Sequence, residues 1–240
     1  MPASRRGAAM LAVAVLSCVP DHAIGSEEAD DATERVLLFS GVELSRTWSS
    51  LFGGFVWSPE GVKAPGFALK TTTGAGVYRY RSGVEEITGR FVLSSVLPGW
   101  RFKQDGFEAS LFAGLDLQVH RLHPNDPTNH LAGEHAGIRL SGETWWEPFP
   151  QMMAQAWASW SNVGTSYAAR GAFGWRVFDL CYVGPEAQTL GDGSYREHRL
   201  GLHATAWRTG ALEWSAGAGY ARNENNRSGA YTRFGLLVRQ

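Results

Sequence analysis

Residues 107–120 read FEASLFAGLDLQVH: Phe107, Ala109, Leu111, Ala113, Leu115, Leu117 and Val119 alternate with Glu108, Ser110, Phe112, Gly114, Asp116, Gln118 and His120. A beat of two is the side-chain period of a β-strand, whose successive residues point to opposite faces. One face is apolar throughout and the other carries acids, an amide and an imidazole. A strand with hydrocarbon on one side and a polar interior on the other has that composition.

The same beat recurs on both sides of this stretch. Leu212, Trp214, Ala216, Ala218 and Tyr220 oppose Glu213, Ser215, Gly217, Gly219 and Ala221, and Thr232, Phe234, Leu236 and Val238 oppose Arg233, Gly235, Leu237 and Arg239. Leu200, Leu202, Ala204 and Ala206 oppose Arg199, Gly201, His203 and Thr205; Tyr167, Ala169, Gly171, Phe173, Trp175 and Val177 oppose Ala168, Arg170, Ala172, Gly174 and Arg176; Ile138 and Leu140 oppose Arg139, Ser141 and Glu143. Turn-forming clusters separate the runs, among them Ser58-Pro59-Glu60-Gly61, Gln104-Asp105-Gly106, Glu147-Pro148-Phe149-Pro150, Gly191-Asp192-Gly193 and Asn223-Glu224-Asn225-Asn226. Between them the sequence predicts about twelve strands, at 36–46, 48–58, 66–82, 86–103, 106–121, 135–146, 152–162, 166–178, 180–188, 194–208, 211–222 and 229–240. The second, third and ninth alternate less cleanly, which leaves ten as the alternative count.

An all-β, antiparallel transmembrane barrel of the bacterial outer membrane follows, with both termini on the periplasmic side. In lipid only a helix or a closed barrel satisfies every backbone polar group. A soluble β-sandwich or lipocalin produces the same period, but its core would want bulk where this apolar face carries Ala and Gly. Aromatics near the ends of the apolar runs suit interface girdles, where Trp146, Trp160, Trp175 and Trp214 are expected.

The N-terminal residues point to export. Arg5 and Arg6, an apolar run from Ala8 to Val19 and Ala23-Ile24-Gly25 have the order of a signal peptide, giving residues 1–25 as leader, 26–34 as a flexible acidic segment and 35–240 as the barrel domain. The apolar run is shorter than the roughly 20 residues a spanning helix needs. Val15-Leu16-Ser17-Cys18 fits the lipoprotein pattern poorly. Without Cys18, Cys181 stands alone and no intrachain disulfide forms. Charged residues are only 19% of the chain and the net charge is −1, so no basic field exists to hold nucleic acid, and no Cys/His spacing points to a metal or cofactor.

Residues 112–148, FAGLDLQVHRLHPNDPTNHLAGEHAGIRLSGETWWEP, together with FGGFVWSP (52–59), LPGWRF (97–102), YAAR (167–170) and Gly184-Pro185-Glu186 followed by Leu190-Gly191, resemble the cellulose biosynthesis protein BcsS family of proteobacteria. The resemblance covers nearly the whole mature chain. It implies a role in cellulose production or secretion at the outer membrane; the expected partners are cellulose or another β-glucan, outer-membrane lipid and other synthesis or export components, and no enzymatic activity is expected. It supplies no catalytic residues.

Two kinds of residue are candidates for glucan contact. Tryptophan faces stack on pyranose rings and carboxylates accept from sugar hydroxyls, so an inward set of Trp145, Trp157, Trp207, Glu143 and Glu213 would guide a glucan. Arg139, Arg170, Arg176, Arg199, Arg233 and Arg239 face Glu108, Asp116, Glu143, Glu186 and Glu213, and such a charged interior either lines a channel or plugs it. At about twelve strands the bore lies between these cases. His120, His123 and Asp126 form a sugar- or ion-binding loop or, as the Pro124-Asn125-Asp126-Pro127 chemistry favours, a rigid turn in which Asp126 caps a backbone amide. The alternative is a small-barrel lipid or glycan hydrolase built on His203, Ser215 and Glu213, or on Glu143 paired with Glu186; nucleophilic catalysis would require base and nucleophile in hydrogen-bond reach.

Overall fold

The computed structural model describes residues 34–192, 195–224 and 227–240. The leader, the Cys18 motif and the acidic segment before Glu34 lie outside the described residues. Twelve antiparallel strands close into one barrel: β1 (Val36–Ser45), β2 (Trp48–Trp57), β3 (Gly66–Ser82), β4 (Glu85–Gln104), β5 (Phe107–His123), β6 (Gly133–Phe149), β7 (Met152–Ser161), β8 (Tyr167–Val177), β9 (Cys181–Gly191), β10 (Arg196–Thr209), β11 (Leu212–Asn223) and β12 (Ser228–Arg239). Each strand pairs with its neighbours in sequence, and β1 pairs with β12 from Leu37↔Arg239 to Ser45↔Tyr231. The less regular β2, β3 and β9 are full members of the sheet, because their pairing is fixed by neighbours on both sides and not by their own alternation.

The start of β1 and the end of the chain meet at one end, here termed proximal, where the Val36 N–H donates to the Gln240 carbonyl at 2.9 Å and the Gln240 N–H returns the bond at 2.8 Å. Proximal connections span 58–65, 105–106, 150–151, 178–180 and 210–211, and the longest distal one spans 124–132. The β5 pattern that led to the fold holds: Leu111, Leu115 and Leu117 are exposed on the outer face, Leu115 at 65%, while Glu108, Phe112, Asp116, Gln118 and His120 are buried inside. A folded water-soluble chain does not leave such a band bare. On β6 to β9 the outer face is floored by Gly142, Ala156, Ala158, Ala169, Gly171 and Ala187, which form a shallow apolar groove between the bulkier Leu111 and Leu200. Trp57, Trp100, Trp146, Trp175 and Trp214 surround the proximal rim on the outside, whereas Trp160 and Tyr220 stand toward the distal rim.

One expectation is overturned. Strict alternation from Leu200 turns Trp207 inward, yet Trp207 is 51% exposed on the outer face. The register between β10 and β11 shifts from Ala204↔Ala216 to Trp207↔Trp214, and Ala206 takes the left-handed conformation at φ 59°. This β-bulge inserts one residue and reverses the parity beyond it. Trp207 therefore joins Trp214 in the proximal girdle.

Candidate functional site

The inward residues of all twelve strands converge in the lumen, and the alternation of each strand decides which they are. In the middle of the barrel four charged assemblies meet. Lys70 of β3 pairs with Glu143 of β6, three strands away, with its ammonium 5.3 Å from the Phe39 ring and 5.6 Å from the Phe112 ring. Arg139, 1% exposed, donates at 2.7 Å to Asp116, which also accepts from Ser161 at 2.6 Å and Gln118 at 2.7 Å. Arg199 lies between Glu43 of β1 at 3.0 Å and Glu197 at 2.7 Å, with its guanidinium 5.4 Å from the Tyr231 ring. Glu186 accepts from Arg170 at 2.9 Å, from Arg233 at 2.6 Å and from the Tyr231 hydroxyl at 2.9 Å.

Three of these contacts, Lys70–Glu143, Arg199–Glu43 and Arg233–Glu186, tie strands that are not neighbours. Burying an ion costs several kcal/mol, so each of these groups depends on its partner. Gly217 makes the Glu186 assembly sterically accessible: a Cβ there would overlap the Glu186 carboxylate and stand 2.8 Å from Arg233 Nε. Between the ion pairs the interior stays polar. The Trp157 indole N–H, the Gln155 amide and the hydroxyls of Thr72, Ser95 and Ser141 are buried without a protein partner.

Both ends of the lumen are occupied. At the distal end Trp48 stacks on Phe91 at 4.8 Å between centroids, and Tyr78, Tyr80 and His120 extend the cluster. The His120 ring contacts Tyr78 Oη and Gln118 Oε1, each at 3.2 Å. The 124–132 connection folds over this cluster: Asp126 accepts from the Tyr80 hydroxyl at 2.9 Å, and Asn129 donates to that hydroxyl at 2.8 Å. Asp126 also accepts from the Thr128 N–H at 3.0 Å and the Thr128 hydroxyl at 2.6 Å, which is the turn-capping role. Burial pushes the Asp126 carboxyl up, but the hydrogen bonds from Thr128 and Tyr80 outweigh it and hold the group below its ordinary value.

At the proximal end the 58–65 connection tucks inward. Val62 is wholly buried and its carbonyl accepts from Arg101, while Glu108 takes Lys103 at 2.7 Å and Arg101 at 3.8 Å. Across the barrel Glu147 accepts from the Trp145 indole at 3.2 Å and the Tyr182 hydroxyl at 3.0 Å, and Arg176 donates to that hydroxyl at 2.7 Å. Glu213 accepts from Arg208 and Arg239, each at 3.2 Å.

Of the sequence-derived candidates, Glu143, Trp145, Trp157, Arg170, Glu186, Arg199 and Glu213 face the lumen. His120 and Asp126 stand under and in the distal loop, and Trp207 faces outward. Trp145 and Trp157, at 2% and 4% exposure, lie edge-on or packed among neighbours and present no open ring face. Arg176 differs from the sequence reading by bonding a phenol and not a carboxylate. His203 contacts the Phe173 carbonyl at 3.2 Å while Glu213 is held by two arginines, so no hydrogen bond joins His203, Ser215 and Glu213 among the described residues. Glu143 is paired with Lys70 and Glu186 with Arg170 and Arg233, so the two carboxylates belong to separate ion pairs. No group of three or more metal-ligating side chains occurs among the described residues.

Sequence reasoning missed Glu43, Lys70 and Glu197 as members of the network. Glu43 is the one charge in the otherwise apolar VLLFSGVELS of β1, a signal that was available. Lys70 sits beside three threonines, where polarity on both faces hides the parity.

Comparison with known proteins adds a family. The model described as cellulose biosynthesis protein BcsS matches residues 37–240, the whole barrel. No curated protein matches the chain. Among solved structures, the COG4313 outer membrane channel from Pseudomonas putida F1 has a TM-score of 0.56 at 10% identity, covering 90% of this chain and 100% of that one. LpxR from Salmonella typhimurium has a TM-score of 0.49 at 10% identity over 84% of this chain and 99% of its own. A KdgM porin has a TM-score of 0.44 at 12% identity over 84% and 98%. The first of these likenesses establishes a shared outer-membrane barrel fold.

Proposed function

Since the chain belongs to the BcsS family of cellulose biosynthesis proteins, we propose that it serves cellulose production or export as a closed outer-membrane scaffold, not as a glucan conduit and not as an enzyme. The observation that carries this reading is the set of ion pairs spanning the lumen: Lys70 to Glu143, Arg199 to Glu43 and Arg233 to Glu186 each join strands three apart in the barrel. A glucan passing between them would have to separate charges that are buried and mutually neutralised, and leaving one such group unpaired costs about 3–5 kcal/mol. The distal loop on Tyr80 and the inward Val62 add a barrier at each mouth. What remains available to partners is the rim and the outer wall, which suits a protein that holds synthesis or export components together at the membrane.

The refolded protein in planar lipid bilayers is expected to give no stable conductance steps, while a deletion strain loses cellulose at the cell surface and regains it with the wild-type chain. Reproducible open-channel currents blocked by cello-oligosaccharide would restore the conduit reading. Unchanged surface cellulose in the deletion strain would remove the role altogether.

A further inference from the structure

Among the described residues, the arginines that alternation places on the outer face of β3, β4 and β5 stand at the distal end. On β3, β4 and β5, Arg79, Arg81, Arg90 and Arg121 are all exposed on the outer face at the distal end. Arg90 and Arg121 are directly opposite across the β4–β5 ladder, an arrangement in which like charges repel. Arg79 follows on β3, two residues beyond the Val77↔Arg90 pair and on the same face. The acids at this end of the three strands are Glu85 and Glu86 at the tip of the β3–β4 hairpin, opposite Ser82 and Arg81, and Glu134, opposite Val119. Among the described residues none of the four arginines makes an ion pair with a carboxylate. Immediately below them the wall becomes aliphatic: Val92 faces Val119, with Ala75 beside them and Leu117 and Leu115 beneath.

Stability of the isolated wall does not explain a repelling arginine pair placed on the edge of an apolar band. A ligand with anionic oxygens above and acyl chains below does, since guanidinium forks match phosphate oxygens and the valines and leucines match hydrocarbon. Beyond the proposed role, and resting on its placement of the barrel in the outer membrane, we propose that Arg79, Arg90 and Arg121 form a binding site for the phosphate groups of a phosphorylated lipid in the outer leaflet. Arg81 flanks this site and is partly answered by Glu86. At the proximal end of the same three strands the outer face carries Phe67, Trp100, Phe102 and Phe107 instead. The site also fixes orientation, with the distal loops outside the cell and the termini in the periplasm.

The test uses the full mature chain refolded in detergent and titrated with bis-phosphorylated lipid A, its dephosphorylated form and inorganic phosphate, bound lipid being read by native mass spectrometry. Arg90→Gln and Arg121→Gln are each expected to weaken lipid A binding about fivefold, and the double variant about twenty-five-fold. Lys63→Gln, at the proximal end, should bind as the wild type does, and dephosphorylated lipid should bind the wild type no better than lipid A binds the double variant. Equal lipid A affinity in wild type and double variant would overturn the site, as would inorganic phosphate competing at the lipid's own concentration. Flotation of each protein with phosphatidylcholine vesicles separates the two readings: a chain that fails to float refutes the membrane placement itself, whereas one that floats with unaltered lipid A affinity refutes the arginine site alone. Should the double variant not refold, either single variant carries the same expectation.

Discussion

Glu186 reaches Arg170 on the adjacent strand and Arg233 three strands away, and Tyr231 donates to the same carboxylate, so one side chain braces the wall from β8 to β12, a third of the barrel's circumference. Its inward direction was legible from alternation; its partners were not. Which arginine comes within 3 Å depends on strand stagger and on the space left by Gly217, neither of which a single strand encodes. Replacing the charge removes the anion that Arg170 and Arg233 share, and the expected loss for Glu186→Gln is about 3–5 kcal/mol. A urea titration of the refolded protein in detergent measures this. A loss below about 1 kcal/mol, the size seen for exposed pairs, would mean that the lumen is hydrated and the pair screened.

At the scale of elements, the bulge in β10 shows where period-two reading stops. Ala206 adds a residue that β11 does not match, and the inward–outward sense of Trp207 reverses without any local sign in the residues themselves. Deleting Ala206 should leave Trp207 outward and the barrel intact, because the strand then becomes regular with the same faces. Deleting Leu202, in the regular part of the strand, shifts the register by one and drives Arg199 and Glu197, or else the residues beyond, onto the lipid face. The first variant is expected to refold with its tryptophan fluorescence quenched by brominated lipid, and the second to fail to refold. The reverse outcome would place the irregularity elsewhere in the strand.

For the molecule as a whole, the deciding question is which solvent meets the outer wall. Leu115 stands in the middle of the exposed band on β5. If that band faces hydrocarbon, Leu115→Arg destabilises the refolded protein by about 2–4 kcal/mol in a bilayer, because a cation at mid-depth must be dehydrated or must distort the lipid. Unfolding titrations in vesicles check the value. A neutral effect would indicate a watery surface and a different protein. The contrast with Arg90 and Arg121, on the same wall but at its edge, follows from depth alone.

A strand count of about twelve with ten left open, the strand ends to within a few residues, the apolar outer face and most of the inward residues were present in the sequence, since a strand between oil and a polar lumen must alternate at every step and turn chemistry marks where it reverses. The tertiary structure alone decided that Lys70 meets Glu143, that Arg199 meets Glu43, that Trp207 faces outward and that the 124–132 and 58–65 connections reach Tyr80 and Arg101. Those outcomes depend on strand stagger, on an inserted residue and on distances across a closed ring. They belong to relations between strands far apart in the chain, and no periodicity within one strand carries them.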